Sequence, residues 1–383
     1  MRVVLGSVLC VGCAFHHGHS PGDGAAGIDV PDGGEPQTIH LGPGDGEPGT
    51  DGLTLTGTVT IDTSVPSISV SLPPGATLDT RPQLGGGPEL AVLHVGTLTV
   101  ETGAMVSIIG SRPLVIVADG AADIAGTLDA GAHGGVPGAG GAMPAMGDGA
   151  GGPGSHGTSA SDSGGGGAGC GTTGGSGGAI TGTCAYNGGT GGAKYGDAAI
   201  TTLEGGSGGG NSSGNSCTPD PGGAGGGALQ ITSRTSIAIS GKVLAGGGGG
   251  HGGTDCAAAD GDVNSGPGGG SGGAIVLQAP MIANSGVIAA NGGGGGGSSS
   301  TGNGSANPGQ DGQPSATAAL GGTGPRAMGG SGGTGSAAPT QGGSSDCGTN
   351  GGGGGGAAGW IAASSSYMGS GIASPAANTS LPL

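Results

Sequence analysis

Ile275-Val-Leu-Gln-Ala279, a short turn, and then Ile282-Ala-Asn-Ser-Gly286-Val-Ile-Ala-Ala-Asn-Gly292 form the stretch on which the fold depends. Two other stretches say nearly the same thing. They are Leu114-Val-Ile-Val-Ala118 … Ile124-Ala-Gly126-Thr-Leu-Asp-Ala-Gly131 and Leu229-Gln-Ile-Thr232 … Ile237-Ala-Ile-Ser-Gly241-Lys-Val-Leu-Ala-Gly246. A weaker copy, Trp360-Ile-Ala-Ala-Ser364 … Met368-Gly-Ser-Gly371-Ile372, follows later. Each copy is an apolar strand, a turn and a second apolar strand, without helical periodicity. Repetition of such a unit marks stacked repeats. The sequence therefore predicts an all-β fold, a short right-handed parallel β-helix (solenoid) with long glycine-rich loop insertions.

Working outward, Leu53-Thr-Leu-Thr-Gly-Thr-Val-Thr-Ile61 alternates apolar residues with threonine, as a half-buried strand does. Ile68–Leu72, Leu90–Leu93 and Leu98–Ile109 add further strands, and the turn glycines Gly75, Gly103 and Gly126 fall 28 and 23 positions apart. Beyond Gly131 the step lengthens. Gly126, Gly241, Gly286 and Gly371 are separated by 115, 45 and 85 positions, which predicts inserts at about 132–227, 246–273 and 292–358. Ala198–Leu203, inside the longest, reads as a degenerate extra strand. Two readings of the inserts stand side by side: flexible loops, or glycine chains packed as extended three-fold helices that satisfy one another's backbone groups.

Glycine supplies 108 of 383 residues, against an ordinary share of about 7%. With aromatics at 1% and charged residues at 8%, too few large side chains exist for an ordinary globular core. The net charge of −17 excludes phosphate-binding basic stripes, hence nucleic acid, and electrostatic adhesion to an anionic membrane.

Met1-Arg2 and the apolar run Val3–Gly12 read as a short export signal, too short to span a bilayer as a helix. It ends in Val11-Gly12-Cys13, which resembles the lipobox of bacterial lipoproteins; the resemblance implies a signal peptide over residues 1–13 and lipidation of Cys13. Cys10 stands where the lipobox pattern prefers Leu. Residues 14–52, rich in Gly, Pro, Asp and Glu, are expected to be a flexible tether, with 53–383 forming the folded part. His16, His17 and His19 sit at the head of this tether. Cys170, Cys184, Cys217, Cys256 and Cys347 all fall in glycine-rich segments and form no CxxC metal pair. Two disulfides and one thiol are expected in an oxidising compartment, with Cys170–Cys184 and Cys217–Cys256 as the plausible pairs.

The segments Gly272-Gly-Ala-Ile-Val-Leu277 and Ser285-Gly-Val-Ile-Ala-Ala-Asn-Gly292 resemble the repeat regions of glycine-rich bacterial cell-surface proteins and envelope lipoproteins. The composition is similar to the PGRS-type segments of mycobacterial PE proteins, although no PE-type helical leader precedes it. The resemblance implies an exported cell-surface protein, outer-membrane lipid-anchored or secreted. Its role would be structural or adhesive, without catalytic activity or cofactor. Its partners would be cell-envelope or extracellular-matrix components, carbohydrate among them, with the membrane touched only through a lipid anchor.

The enzymatic alternative is a β-helix lyase or hydrolase acting on polysaccharide, which needs carboxylates and cations converging on one face. Asp119, Asp123 and Asp129 are the candidates, preceded by Arg112, and they double as weak ligands for calcium in a surface module. Asp119-Gly120 equally reads as a solvated turn. Ser155, His156 and Asp162 contain the residue types of a nucleophilic triad but sit in an insert. Asp255, Asp260 and Asp262 beside Cys256 read as a loop, and His94 as an ordinary strand side chain. Trp360 reads as an aromatic plug over the open end of the stack.

Overall fold

The near-identical stretches lie side by side, parallel and in register. In the computed structural model, which describes residues 38–157, 161–214, 216–256 and 262–382, Leu114 faces Leu229, Leu229 faces Ile275, and Ile275 faces Ile361. The chain divides into two compact units, Glu35–Leu383 and Met1–Gly34, the second of which lies outside the described residues. So do Cys13, the histidines at 16, 17 and 19, and most of the expected tether.

Three large sheets result, and the chain visits them in turn. Sheet I contains, in order, Leu53–Leu55, Leu98–Val100, Ala122–Ile124, Ser236–Ile239, Met281–Asn284 and Tyr367–Gly369. Sheet II runs Ser67–Ile68, Thr58–Asp62, Met105–Ile109, Thr127–Asp129, Lys242–Leu244, Val287–Ala289 and Ile372–Ser374. Sheet III runs Thr77–Arg81, Leu90–Val95, Leu114–Ala118, Ala228–Ser233, Ala274–Gln278, Trp360–Ser364 and Asn378–Leu381. All pairings are parallel except those of Ser67–Ile68 and Thr77–Arg81 at one edge. A two-stranded sheet joins Ile180–Thr181 to Ser345–Asp346.

The expected fold requires correction. The described residues form four separate, mostly parallel sheets of seven, seven, six and two strands, and not a closed right-handed β-helix or solenoid. The physical reason is where the chain goes after sheet II. From Asp129, Leu244 and Ala289 it does not turn back into sheet III but leaves through glycine runs, re-entering at Ala228, Ala274 and Trp360. Large parallel sheets usually carry helical crossovers. Here the only helical element among the described residues is the 3-10 turn Gly182–Cys184, and the crossovers are short turns or glycine strands.

Burial explains why some strands alternate and others do not. Met105–Ile109 in sheet II shows alternate exposed and buried residues, whereas Leu114–Ala118 in sheet III is buried throughout. One face of sheet III lines the interior with Leu93, Ile116, Ile231 and Leu277 in one ladder. Its other face carries Leu90, Val92, Val115 and Val276, covered by Leu41, Ile200 and Leu203. Residues 38–52 are thus not part of a tether: buried His40 hydrogen-bonds the Gln230 side chain and the Ile200 carbonyl. Ala198–Leu203 is not a strand but a covering turn, with Ile200 at φ 51°. The turn glycines repeat for a steric reason. Each of Gly241, Gly286 and Gly371 lies on the carbonyl of the preceding one in the stack, so a Cβ would collide with it.

The described residues of the inserts are ordered. Strand 351–359 shows how they are held. The amides of Gly351, Gly354 and Ala357 donate to the carbonyls of Asp162, Gly165 and Ala168. Those of Gly352 and Gly355 donate to Gly343 and Thr340, and those of Gly353, Gly356 and Gly359 to Gly296, Gly293 and Ala290. Every third residue therefore addresses the same neighbour, which is the geometry of an extended three-residue-per-turn chain whose hydrogen bonds are all between strands. Segments 162–168, 266–272 and 351–357 form a parallel trio: Gly165 donates to Gly266, Gly266 to Gly351 and Gly354 to Gly165. An added Cβ at Gly164, Gly175, Gly268 or Gly353 would meet the backbone of the adjacent strand. Glycine is needed in this bundle for close approach, not for unusual dihedrals. Of the two readings of the inserts, the described residues match the packed, extended glycine chains and not flexible loops.

Candidate functional site

The parallel trio begins at a polar layer. Ser161, Asp162 and Ser163 start one strand, Asp262, Asn264 and Ser265 the next, and Asn350 the third; all are buried. The neighbouring strands end in the same layer at Ser212–Ser213 and Ser298–Ser299, also buried. The layer satisfies backbone groups where the glycine pattern stops. Asp162 N donates to Asn350 Oδ1 at 3.0 Å, Asn350 Nδ2 donates to the Val263 carbonyl at 2.6 Å, and Ser299 Oγ donates to the Asn264 carbonyl at 2.7 Å.

Three titratable side chains converge in this layer. His156, Asp162 and Asp262 each offer a ligand-type atom within 4.8 Å of the others. His156 Nδ1 lies 2.8 Å from Asp162 Oδ1, which also accepts a 3.0 Å bond from Ser213 Oγ. Asp162 Oδ2 is buried and has no hydrogen-bond partner. Asp262 Oδ2 accepts the Ser216 amide at 2.7 Å. Burial pushes the Asp162 carboxyl up to about 6, the hydrogen bonds from His156 and Ser213 oppose the shift, and the Asp262 carboxylate adds to it. Tyr186, whose ring covers Gly157, has its phenol pushed up to about 12 by burial and then by Asp162.

Both disulfides flank this layer. Cys184–Cys347 joins segments 163 residues apart, with Ser161 Oγ 3.9 Å from Cys184 Sγ. Cys217–Cys256 has its sulfurs 3.6 and 3.9 Å from the Asp262 carbonyl. The expected Cys217–Cys256 pair is present, whereas Cys184 pairs with Cys347 and not with Cys170. Proximity in sequence misled there, because strand 161–171 carries Cys170 away from the layer. Cys170 is a buried thiol, pushed up to about 12 by burial.

The other sequence candidates are scattered. Asp119 ion-pairs with Arg234 at 3.4 Å, Asp123 is exposed on sheet I, and Asp129 on sheet II pairs with His133 at 3.4 Å. They do not converge as calcium ligands, since one residue step along a strand reverses its face and each turn changes sheet. Of the triad on paper, His156 and Asp162 meet, but Ser155 makes no hydrogen bond to His156 among the described residues; its amide donates to Ser163 Oγ. His94 is buried against the Glu47 carbonyl and 3.6 Å from Asp79. Trp360 is no end plug. Its indole donates to the Tyr195 carbonyl at 3.2 Å, Lys194 Nζ sits 5.1 Å from the ring centroid, and Asn378–Leu381 covers that edge of sheet III. Asp262 was hidden because it lies a hundred residues from Asp162. The available signal was positional: a polar residue stands just before each of the glycine runs 164–167, 266–270 and 351–356.

Comparison with known proteins yields no match: no protein family, no curated protein and no solved structure is significantly similar to this chain.

Proposed function

We propose that this chain is an exported structural or adhesive module of the cell surface, held there through a lipid on Cys13, with no catalytic role. The two disulfides fit an oxidising, extracellular environment. Among the described residues no helix is long and apolar enough to cross a membrane. The observation that carries the reading is the bundle's outer edge. Strands 306–312, 320–323, 328–333 and 340–343 hydrogen-bond to one another in succession. They expose the amide and hydroxyl groups of Asn307, Gln310, Thr323, Thr340 and Gln341 on a backbone already satisfied from within, together with the apolar Leu320 and Met328 and the partly exposed Asp311. Such groups suit polar, uncharged partners such as envelope carbohydrate.

The test is surface labelling of intact cells together with binding of the purified chain to envelope polysaccharide. The expected result is labelling without permeabilisation, loss of membrane retention in Cys13→Ser, and binding weakened by Asn307→Ala with Thr323→Ala. Reduced cysteines in a cytosolic fraction, or cleavage of the polysaccharide, would overturn the proposal.

A further inference from the structure

The geometry points to a site for a first-row transition dication, of the zinc class, held by His156, Asp162 and Asp262; this assignment is independent of the surface role. Two buried carboxylates that face each other are costly unless a positive charge lies between them. His156 supplies only part of that charge from a half-exposed side chain, 37% accessible. Asp162 Oδ2 is the independent sign of a missing partner. It belongs to a side chain with no solvent exposure, and nothing donates to it, although Oδ1 of the same group has two partners.

The donor set decides the class. One imidazole nitrogen and two carboxylate oxygens match zinc and its neighbours, whereas calcium takes six to eight oxygen ligands and magnesium retains waters around one or two carboxylates. Tetrahedral zinc with bonds of about 2.0–2.2 Å places its ligand atoms about 3.4 Å apart. The three atoms here lie within 4.8 Å of each other, so the widest separation contracts by at most about 1.4 Å, while His156 Nδ1, now 2.8 Å from Asp162 Oδ1, has to turn away from that oxygen. His156, at the accessible side, can supply that movement by rotating. Asp162 and Asp262 are held by the strand starts and by the Ser213 and Ser216 bonds. With neutral imidazole, two carboxylates and a dication, the buried set is neutral. The ion would join residue 156 and the starts of two strands a hundred residues apart in sequence.

The test is zinc titration of the full chain, oxidised and stripped with chelator, by native mass spectrometry and calorimetry. Thermal unfolding and the visible spectrum of the cobalt-substituted protein complete it. The expected result is that Asp162→Asn and His156→Gln each bind one zinc fewer than the wild type, or bind it more than tenfold more weakly. The zinc-induced rise in melting temperature should be lost with it. Counting by difference separates this ion from any held by His16, His17 and His19. His156→Gln alters a half-exposed side chain and keeps the fold testable if Asp162→Asn does not accumulate. Equal zinc stoichiometry and affinity in wild type and His156→Gln would overturn the assignment. So would displacement of cobalt by millimolar calcium.

Discussion

Replacing Gly353 by alanine tests the close packing of the glycine bundle at its centre. The Gly353 amide donates to the Gly296 carbonyl at 2.9 Å, and its carbonyl accepts from Gly330 at 2.7 Å. A Cβ here would collide with the Pro267 carbonyl and lie 3.0 Å from the Gly268 amide. Strands 351–357 and 266–272 must then separate by about an ångström, which breaks or stretches the Gly266 N to Gly351 and Gly269 N to Gly354 bonds between them. Two buried groups left unsatisfied cost about 1–3 kcal/mol each. Alanine returns about 0.4–1 kcal/mol by restricting the unfolded chain, so the net loss is about 1–5 kcal/mol. Gly135→Ala is the internal control: its Cβ would meet nothing closer than Pro144 Cγ at 3.8 Å. That variant should be neutral or up to about 1 kcal/mol more stable. The assay is urea unfolding followed by the fluorescence of Trp360, which is wedged against the Lys194–Tyr195 segment. If Gly353→Ala unfolds within about 0.5 kcal/mol of the wild type, the strands are not packed backbone to backbone and the reasoning fails.

Three further outcomes follow from the same structure. Loop-closure entropy assigns about 4 kcal/mol to Cys217–Cys256, spanning 39 residues, and about 5 kcal/mol to Cys184–Cys347, spanning 163. Paired serine variants should therefore rank in that order by chemical denaturation, and peptide mapping without reductant should recover these two links. The buried Cys170 thiol should resist alkylation at pH 8 in the native protein and react once urea unfolds it; modification at the rate of a free thiol would contradict its placement. Between Asp129 and Asp311, 3.4 Å from each, the His133 imidazole is raised to about 10 by the bonds to those carboxylates. Its folded pKa lies above its unfolded one, so its stabilisation is complete below about pH 6.5 and fades as pH rises towards 10. His133 is 68% exposed, so screening keeps the effect below about 1 kcal/mol. NMR titration should place its midpoint well above that of a free imidazole, and Asp311→Asn should lower it.

The repeated stretches were legible because stacking copies puts like residues opposite one another, as the ladder Leu93, Ile116, Ile231 and Leu277 shows. The closed solenoid did not follow from them. A repeat states which strands pair but not whether the connections close a coil, and here they run into a second body. That body was only half legible. Glycine strands carry no side-chain pattern, and their order resides in backbone hydrogen bonds such as those from Gly351, Gly354 and Ala357. The docking of residues 38–41 was masked by their tether-like surroundings, because Leu41 and His40 dock singly on sheet III. The convergence of His156, Asp162 and Asp262 depended on the register of strands 162–168 and 266–272, which no local motif encodes. The acids that did stand close in sequence were separated by the turns: Asp119 in the bend after sheet III, Asp123 on sheet I and Asp129 on sheet II.

Amide hydrogen exchange across the glycine segments 164–178, 264–273 and 351–359 tests the central claim most directly. Within them the amides of 164–169, 268–273 and 351–357 should be protected as strongly as those of Ala228–Ser233 and Ala274–Gln278, because each is bonded to a neighbouring strand in a buried bundle. Exchange at the rate of an unstructured glycine peptide, with protection confined to the strands of the three large sheets, would contradict it.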